Sequence, residues 1–136
     1  MDKRHAEEIM AAKRKTTTKK MGYVEGFVLA VPTRNKAAYR KMAAGALPMF
    51  KEYGLLRLVE CWQDDVPKGK WTDFFRAVKA KRNESIVFAW MEWPDKKTRD
   101  SGHKKMMADP RMSQFKDMPF DGKRMVWGGF KPIVEG

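Results

Sequence analysis

Ser85-Ile86-Val87-Phe88-Ala89-Trp90-Met91-Glu92-Trp93 is a short run of β-branched and aromatic residues, set between the charged stretch Lys79–Glu84 and Pro94. Its length, composition and boundaries mark a strand, and its near-continuous apolar character marks one buried on both faces. Such a strand occupies the middle of a sheet. Other elements must therefore flank it in the sheet plane and cover it above and below.

Working outward, Tyr23–Val31 reads as a first strand stopped by Pro32. A helix follows from a cap at Thr33 or Asn35 to about Tyr53, with Ala38, Met42, Ala46 and Met49 on one stripe. Ala37 and Phe50 widen that stripe, Pro48 is expected to kink or briefly break it, and Gly54 is a natural stop. Leu55–Gln63 is a second strand, and Asp64–Gly69 has the composition of a turn. A short helix capped at Thr72 and carrying Phe74, Phe75 and Val78, or alternatively a strand, leads to the quoted strand. Asp95 or Thr98 opens a second long helix that ends at Asp109-Pro110. After a turn at Pro119–Gly122, Arg124–Ile133 forms the last strand, in which Gly128-Gly129 marks a bulge or tight packing.

The order β-α-β-(short element)-β-α-β is the split βαβ pattern of a ferredoxin-like α+β sandwich, a four-stranded antiparallel sheet with its helices on one face. Right-handed crossovers place the first and third strands side by side in the centre, with the second and last outside.

A chain of 136 residues, 43% hydrophobic and 34% charged, suits one well-buried core. The expected division is a flexible or loosely helical basic tail over residues 1–20 and a single domain over 21–136. No apolar run is long enough to cross a bilayer and no signal-peptide pattern opens the chain. Its single cysteine, Cys61, fits a reducing compartment, so a cytoplasmic location is expected. Of the net charge of +12, the tail carries seven Lys/Arg against three Asp/Glu. Such a charge attracts polyanions without a designed site, and scattered lysines on helix faces serve solubility.

Several motifs resemble the YbaA-like family of small bacterial proteins. They are Gly22–Val28, Glu60-Cys61-Trp62 with Asp64–Pro67, Asp109–Met112, and Met118–Met125 followed by Gly128-Gly129-Phe130. The resemblance runs from about residue 21 to the end. It implies the dimeric α/β-barrel superfamily, in which two ferredoxin-like sheets face each other. That superfamily holds small oxygenases, haem-degrading enzymes and plain ligand binders, so membership implies a fold without a function.

Strand alternation assigns faces. Tyr23, Glu25, Phe27 and Leu29 share one side of the first strand, and Ile86, Phe88, Trp90 and Glu92 one side of the quoted strand. Pairing Glu25 with Glu92 also pairs Phe27 with Trp90 and Leu29 with Phe88. Gly26, Ala30 and Ala89 then face the helices, as does Cys61. The bulky face, joined by Leu58, Glu60 and Trp62, is left for a partner subunit, because a monomer avoids so large an apolar patch.

That expected face supplies the candidate site. Glu92, Glu25 and Glu60 are candidate catalytic carboxylates, since burial and a neighbouring carboxylate both raise a carboxyl pKa. The alternative makes them structural ion pairs with Arg76, Arg82 or Lys131. Phe27, Trp62, Phe88 and Trp90 are expected to line a ligand pocket, with Lys131 near Glu25 to orient an anionic group. No metal site is expected, because His103 reads as a surface residue without a ligand partner at the right spacing. No cofactor motif is recognised. Arg111, Lys123 and Arg124 flank two loops and could frame an anion site, though a solvated rim explains them as well. The functional expectation is a homodimer meeting through the sheet face, which binds or acts on a small apolar or aromatic molecule. The alternatives are a nucleic-acid (RNA) binder using the basic tail, and a purely structural module.

Overall fold

The computed structural model describes residues 20–136. All but Lys20 of the expected tail lies outside the described residues. Strand β1 (Tyr23–Pro32) passes through a 3-10 turn (Thr33–Asn35) into helix α1 (Lys36–Glu52) and strand β2 (Arg57–Trp62). A one-turn helix α2 (Phe74–Ala77) precedes strand β3 (Glu84–Trp93) and helix α3 (Lys96–Ala108). Two 3-10 turns (Pro110–Phe115 and Gly122–Arg124) lead to strand β4 (Val126–Phe130).

The strands form one antiparallel sheet in the order β2-β3-β1-β4, so the first and third strands are central as the crossover rule requires. Local chemistry sets the helix starts. Asp95 accepts from the Thr98 amide at 2.7 Å and Asp73 from the Arg76 amide at 2.8 Å, each satisfying an N-terminal donor. The cap of α2 is thus Asp73, one residue past the expected Thr72. Asn35 stands at the start of α1 but makes no capping bond there. Its side-chain amide instead donates to the Pro119 carbonyl at 2.9 Å. Helix α1 runs on through Pro48, and its end is turned by Gly54 at φ +105°, a conformation that favours glycine.

The register differs from the expected one by a single residue. Glu25 pairs with Met91, Phe27 with Ala89 and Tyr23 with Trp93, while Glu92 pairs with Val24 and Trp90 with Gly26. A one-residue slip moves a whole strand's side chains to the other face. Tyr23, Glu25, Phe27 and Leu29 therefore face the helices together with Trp93, Met91, Ala89 and Val87. Leu58, Glu60 and Trp62 join them, because β2 pairs Leu58 with Met91 and Trp62 with Val87. The physical reason is core volume. This register buries Trp93 and Val31 fully and packs Tyr23, Leu55 and Met91 into one cluster beneath Leu47 and Phe50.

The opposite face carries Val24, Gly26 and Val28 from β1 with Phe88, Trp90 and Glu92 from β3. Cys61 lies there too, paired with Phe88 and exposed, not under the helices as alternation had suggested. Among the described residues, cover lies over only one end of this face. Val78 and Phe75 close over Ala30 and Ile86, and Phe74 meets Phe88 edge-on with centroids 6.0 Å apart. The quoted strand is accordingly buried on both faces at Ser85–Val87, but alternates beyond them, with Phe88 47% exposed.

Residues 109–125 cross beside α1 and are pinned at both ends. Arg111 bonds Glu52 and Asp109, both at 2.7 Å, and Arg124 bonds Glu84 at 2.7 Å and Asp121 at 3.0 Å. The alternative of an anion site among Arg111, Lys123 and Arg124 is not assembled, since each arginine already holds two carboxylates.

Candidate functional site

One stripe of α1 faces β2 across a gap. Lys36, Tyr39, Arg40, Ala43, Ala44 and Leu47 follow helical spacing and line a cavity of about 310 Å³ against Leu58, Glu60 and Trp62. The two alanines explain the space, because on this stripe nothing beyond a methyl group reaches from mid-helix towards β2. The cavity lining is mainly apolar. Its floor holds the hydroxyl of Tyr39, which donates to Glu60 Oε2 at 2.7 Å.

Tyr39 and Glu60 also border a second hollow of about 170 Å³ on the other side of α1. Leu29, Met42, Met91 and Met106 line it, and Met112, Met118 and Met125 close it from the 109–125 segment. Phe120 stands edge-on to Tyr39 at 5.6 Å between centroids, fixing the phenol from that side. The pair is therefore a polar point between two apolar hollows. Burial holds the Glu60 carboxyl above its usual range, only partly offset by the bond from Tyr39. Burial and the adjacent carboxylate push the Tyr39 phenol far upward, so it stays a donor at any physiological pH. A carboxyl poised in this way can exchange a proton with a bound hydroxyl or carbonyl.

The other expected site residues fall elsewhere. Glu25 is buried on the helix face, 5% exposed, and Glu92 stands on the opposite face, so the expected Glu25–Glu92 neighbourhood does not form. Glu25 is held by His103 Nε2 at 2.8 Å and by the Trp93 indole at 3.3 Å, with Arg99 at 4.0 Å. His103, read from the sequence as a surface residue, is thus a partner of a buried carboxylate. Its signal was the spacing Arg99, Gly102, His103, Met106, which sets four residues on the inward stripe of α3. Glu92 accepts from the Trp90 indole at 2.9 Å and lies 3.7 Å from Arg57. Lys131 is exposed, two positions past Gly129, the residue that pairs with Glu25. Gly129 lets the Tyr23 ring lie against its backbone, which accounts for one glycine of the pair. Phe27 and Trp62 belong to the helix side, and Phe88 and Trp90 to the open side. Among the described residues no group of three or more His, Cys, Asp or Glu side chains is gathered as metal ligands. No described helix is long and apolar enough to cross a membrane.

An antiparallel β2-β3-β1-β4 sheet with two long helices on one face defines an α+β protein of ferredoxin-like class. The chain belongs to the family described as "Protein of unknown function (DUF1428)", whose model matches residues 22–122. It is 60% identical to the "Uncharacterized protein YbaA" of Escherichia coli (strain K12) over 116 residues, 85% of this chain and 99% of that protein. The protein of that name from Shigella flexneri matches to the same extent. These matches bear out the YbaA-like resemblance. Among solved structures, the crystal structure of a dimeric ferredoxin-like protein from an uncultured marine organism is similar, with a TM-score of 0.52 and 12% identity. It covers 86% of this chain and 100% of its own. At that identity the likeness shows the fold alone.

Proposed function

We propose that this protein binds a small, largely apolar molecule between α1 and the sheet, and that the Tyr39–Glu60 pair holds the molecule's polar group. The observation that carries this reading is that pair: a part-buried hydroxyl–carboxyl hydrogen bond opening onto a mainly apolar cavity. The volume of about 310 Å³ lies at the lower end of ligand sites, which suits one or two rings. Glu60, rather than Glu25 or Glu92, is the carboxylate arranged to move a proton. Glu25 is taken up by His103 and Trp93, and Glu92 by Trp90 and Arg57. Thermal shift measurements with phenols and aryl ketones test the reading. Stabilisation that is independent of salt and lost in Glu60→Ala is expected. No shift from any such compound, together with selective RNA binding by residues 21–136 at physiological salt, would replace this reading with the nucleic-acid one.

The working unit in this reading is a homodimer closed over the uncovered sheet face. Phe88, Val126 and Phe130 stand 47%, 51% and 62% exposed around a concavity of about 640 Å³. Contiguous apolar surface of this kind marks an association site. Its narrow middle, Gly26 beside Gly128, allows close approach of a second sheet. The similar solved structure is described as dimeric, which agrees with this arrangement. Light scattering is expected to give twice the chain mass of 15.8 kDa. A monomer at micromolar concentration would remove the dimer from the reading and leave the cavity untouched.

A further inference from the structure

The cavity under α1 has an uneven distribution of charge along its length. Lys36 and Arg40 are one helical turn apart at one end, Ala43 and Ala44 stand in the middle, and Leu47 closes the other end. Lys36 Nζ lies 5.4 Å from the centroid of the Trp62 ring, which lines the same cavity. Among the described residues neither Lys36 nor Arg40 forms an ion pair with a carboxylate, a state they share with Arg34 and Arg82, while Arg57, Arg76, Arg99, Arg111 and Arg124 each form one. The carboxylate that shares the cavity, Glu60, is occupied by Tyr39.

Lys36 also stands at the end of α1 that disfavours a cation. The first turn of α1 contains no acidic residue, and Arg34 and Lys36 flank its start. Positive charge near a helix N-terminus opposes the helix dipole. A side chain selected only for solubility is better placed at the other end, so the arrangement calls for an anion nearby.

Resting on the reading of the cavity as a ligand site, we infer that its ligand is an amphipathic anion. Its carboxylate sits between Lys36 and Arg40, and its apolar body runs past Ala43 and Ala44 towards Leu47. The guanidinium of Arg40 offers paired donors to a carboxylate, and Lys36 adds a point charge backed by the Trp62 ring. Tyr39 and Glu60 lie between charged mouth and apolar end, where they meet a hydroxyl or carbonyl borne on the body.

Matched pairs of probes separate this inference from the reading beneath it. Phenylacetate, 2-naphthoate and decanoate are each compared with the corresponding primary amide by titration calorimetry on the full chain. The carboxylate of at least one pair is expected to bind roughly tenfold or more tightly than its amide, the scale of a charge-assisted hydrogen bond. The preference should shrink as salt is raised. Lys36→Gln with Arg40→Gln is expected to abolish the preference while amide binding persists. Both side chains are exposed, so the double variant keeps the fold, which its thermal unfolding checks. Equal binding of acid and amide, or a preference untouched by the double variant, would overturn the anion assignment and leave the cavity reading standing. Binding of no member of any pair would overturn both. Ala43→Leu, which fills the cavity from the helix side, must weaken acid and amide alike. If it weakens neither, the probes bind elsewhere and the assignment fails.

Discussion

The two faces of the same sheet use similar residues to opposite ends. Along β3, Val87, Ala89 and Trp93 are almost wholly shut from water, while Phe88, between the first two, is half exposed. The helix face is closed by α1 and α3 and encloses the two hollows that meet at Tyr39 and Glu60. Among the described residues the other face is capped only at the Ala30–Ile86 end and is otherwise bare. Apolar character is therefore no guide to which face forms the core. The crossover helices decide that, and in the proposed reading what they leave uncovered serves association.

The largest expected contrast is in stability. Trp93 is fully buried, packs edge-on against Phe50, and lies against Gly102 of α3. Trp93→Ala is expected to cost about 3–5 kcal/mol in urea unfolding. A cost no larger than that of Phe88→Ala, measured on monomeric protein, would break the contrast between the faces.

The second prediction sharpens the contrast from the open side. Trp90→Glu places a charge at the centre of the bare face and is expected to weaken self-association by about 2–4 kcal/mol, the scale of an interface hot spot. Sedimentation or light scattering reads the result. An undisturbed dimer would mean that copies meet elsewhere.

Two glutamates, Glu84 buried and Glu60 half-buried, should then respond to pH in opposite directions. Glu84 is held below the usual carboxylate range, chiefly by its paired bonds from Arg124. A lowered folded value gives stability that is present above the unfolded pKa and lost as pH falls through the folded one. Glu60 is held above its usual range by burial. A raised folded value gives stability that is present below the unfolded pKa of about 4.3 and lost as pH rises through the folded one. From acid to neutral pH, the melting temperature of Glu60→Gln is thus expected to gain on that of the wild type as pH rises. Glu84→Gln should instead be destabilised most near neutrality. Parallel profiles for the two variants would refute the difference in environment.

The smallest effect is expected at Arg57, whose side chain is mostly exposed and lies 3.7 Å from Glu92. Arg57→Gln should change stability by about 0–1 kcal/mol, as exposed ion pairs do. A larger loss would show that Glu92 depends on this arginine within a buried interface.

The elements and their order follow from the sequence alone. β-branched and aromatic runs bounded by Pro, Gly and charge define four strands, and the alternation with helical stripes leaves one economical topology, β2-β3-β1-β4. Glu60 was legible as a candidate because a carboxylate between Val59 and Trp62 stands out in an apolar strand. Register was not legible. The face of β1 bearing Val24, Gly26, Val28 and Ala30 is as free of charge as a core face, so neither pairing with β3 exposed an obvious error. Only packing chose between them, by burying Trp93 under α1 and α3 instead of leaving it on the open side. The same choice separated Glu25 from Glu92 and brought Glu25 to His103, 78 residues away. Tyr39 was hidden for a related reason: its partner lies across a helix–sheet gap whose width is set by Ala43 and Ala44. Periodicity assigns a side chain to a face, but contact between faces depends on distances that only the folded chain supplies.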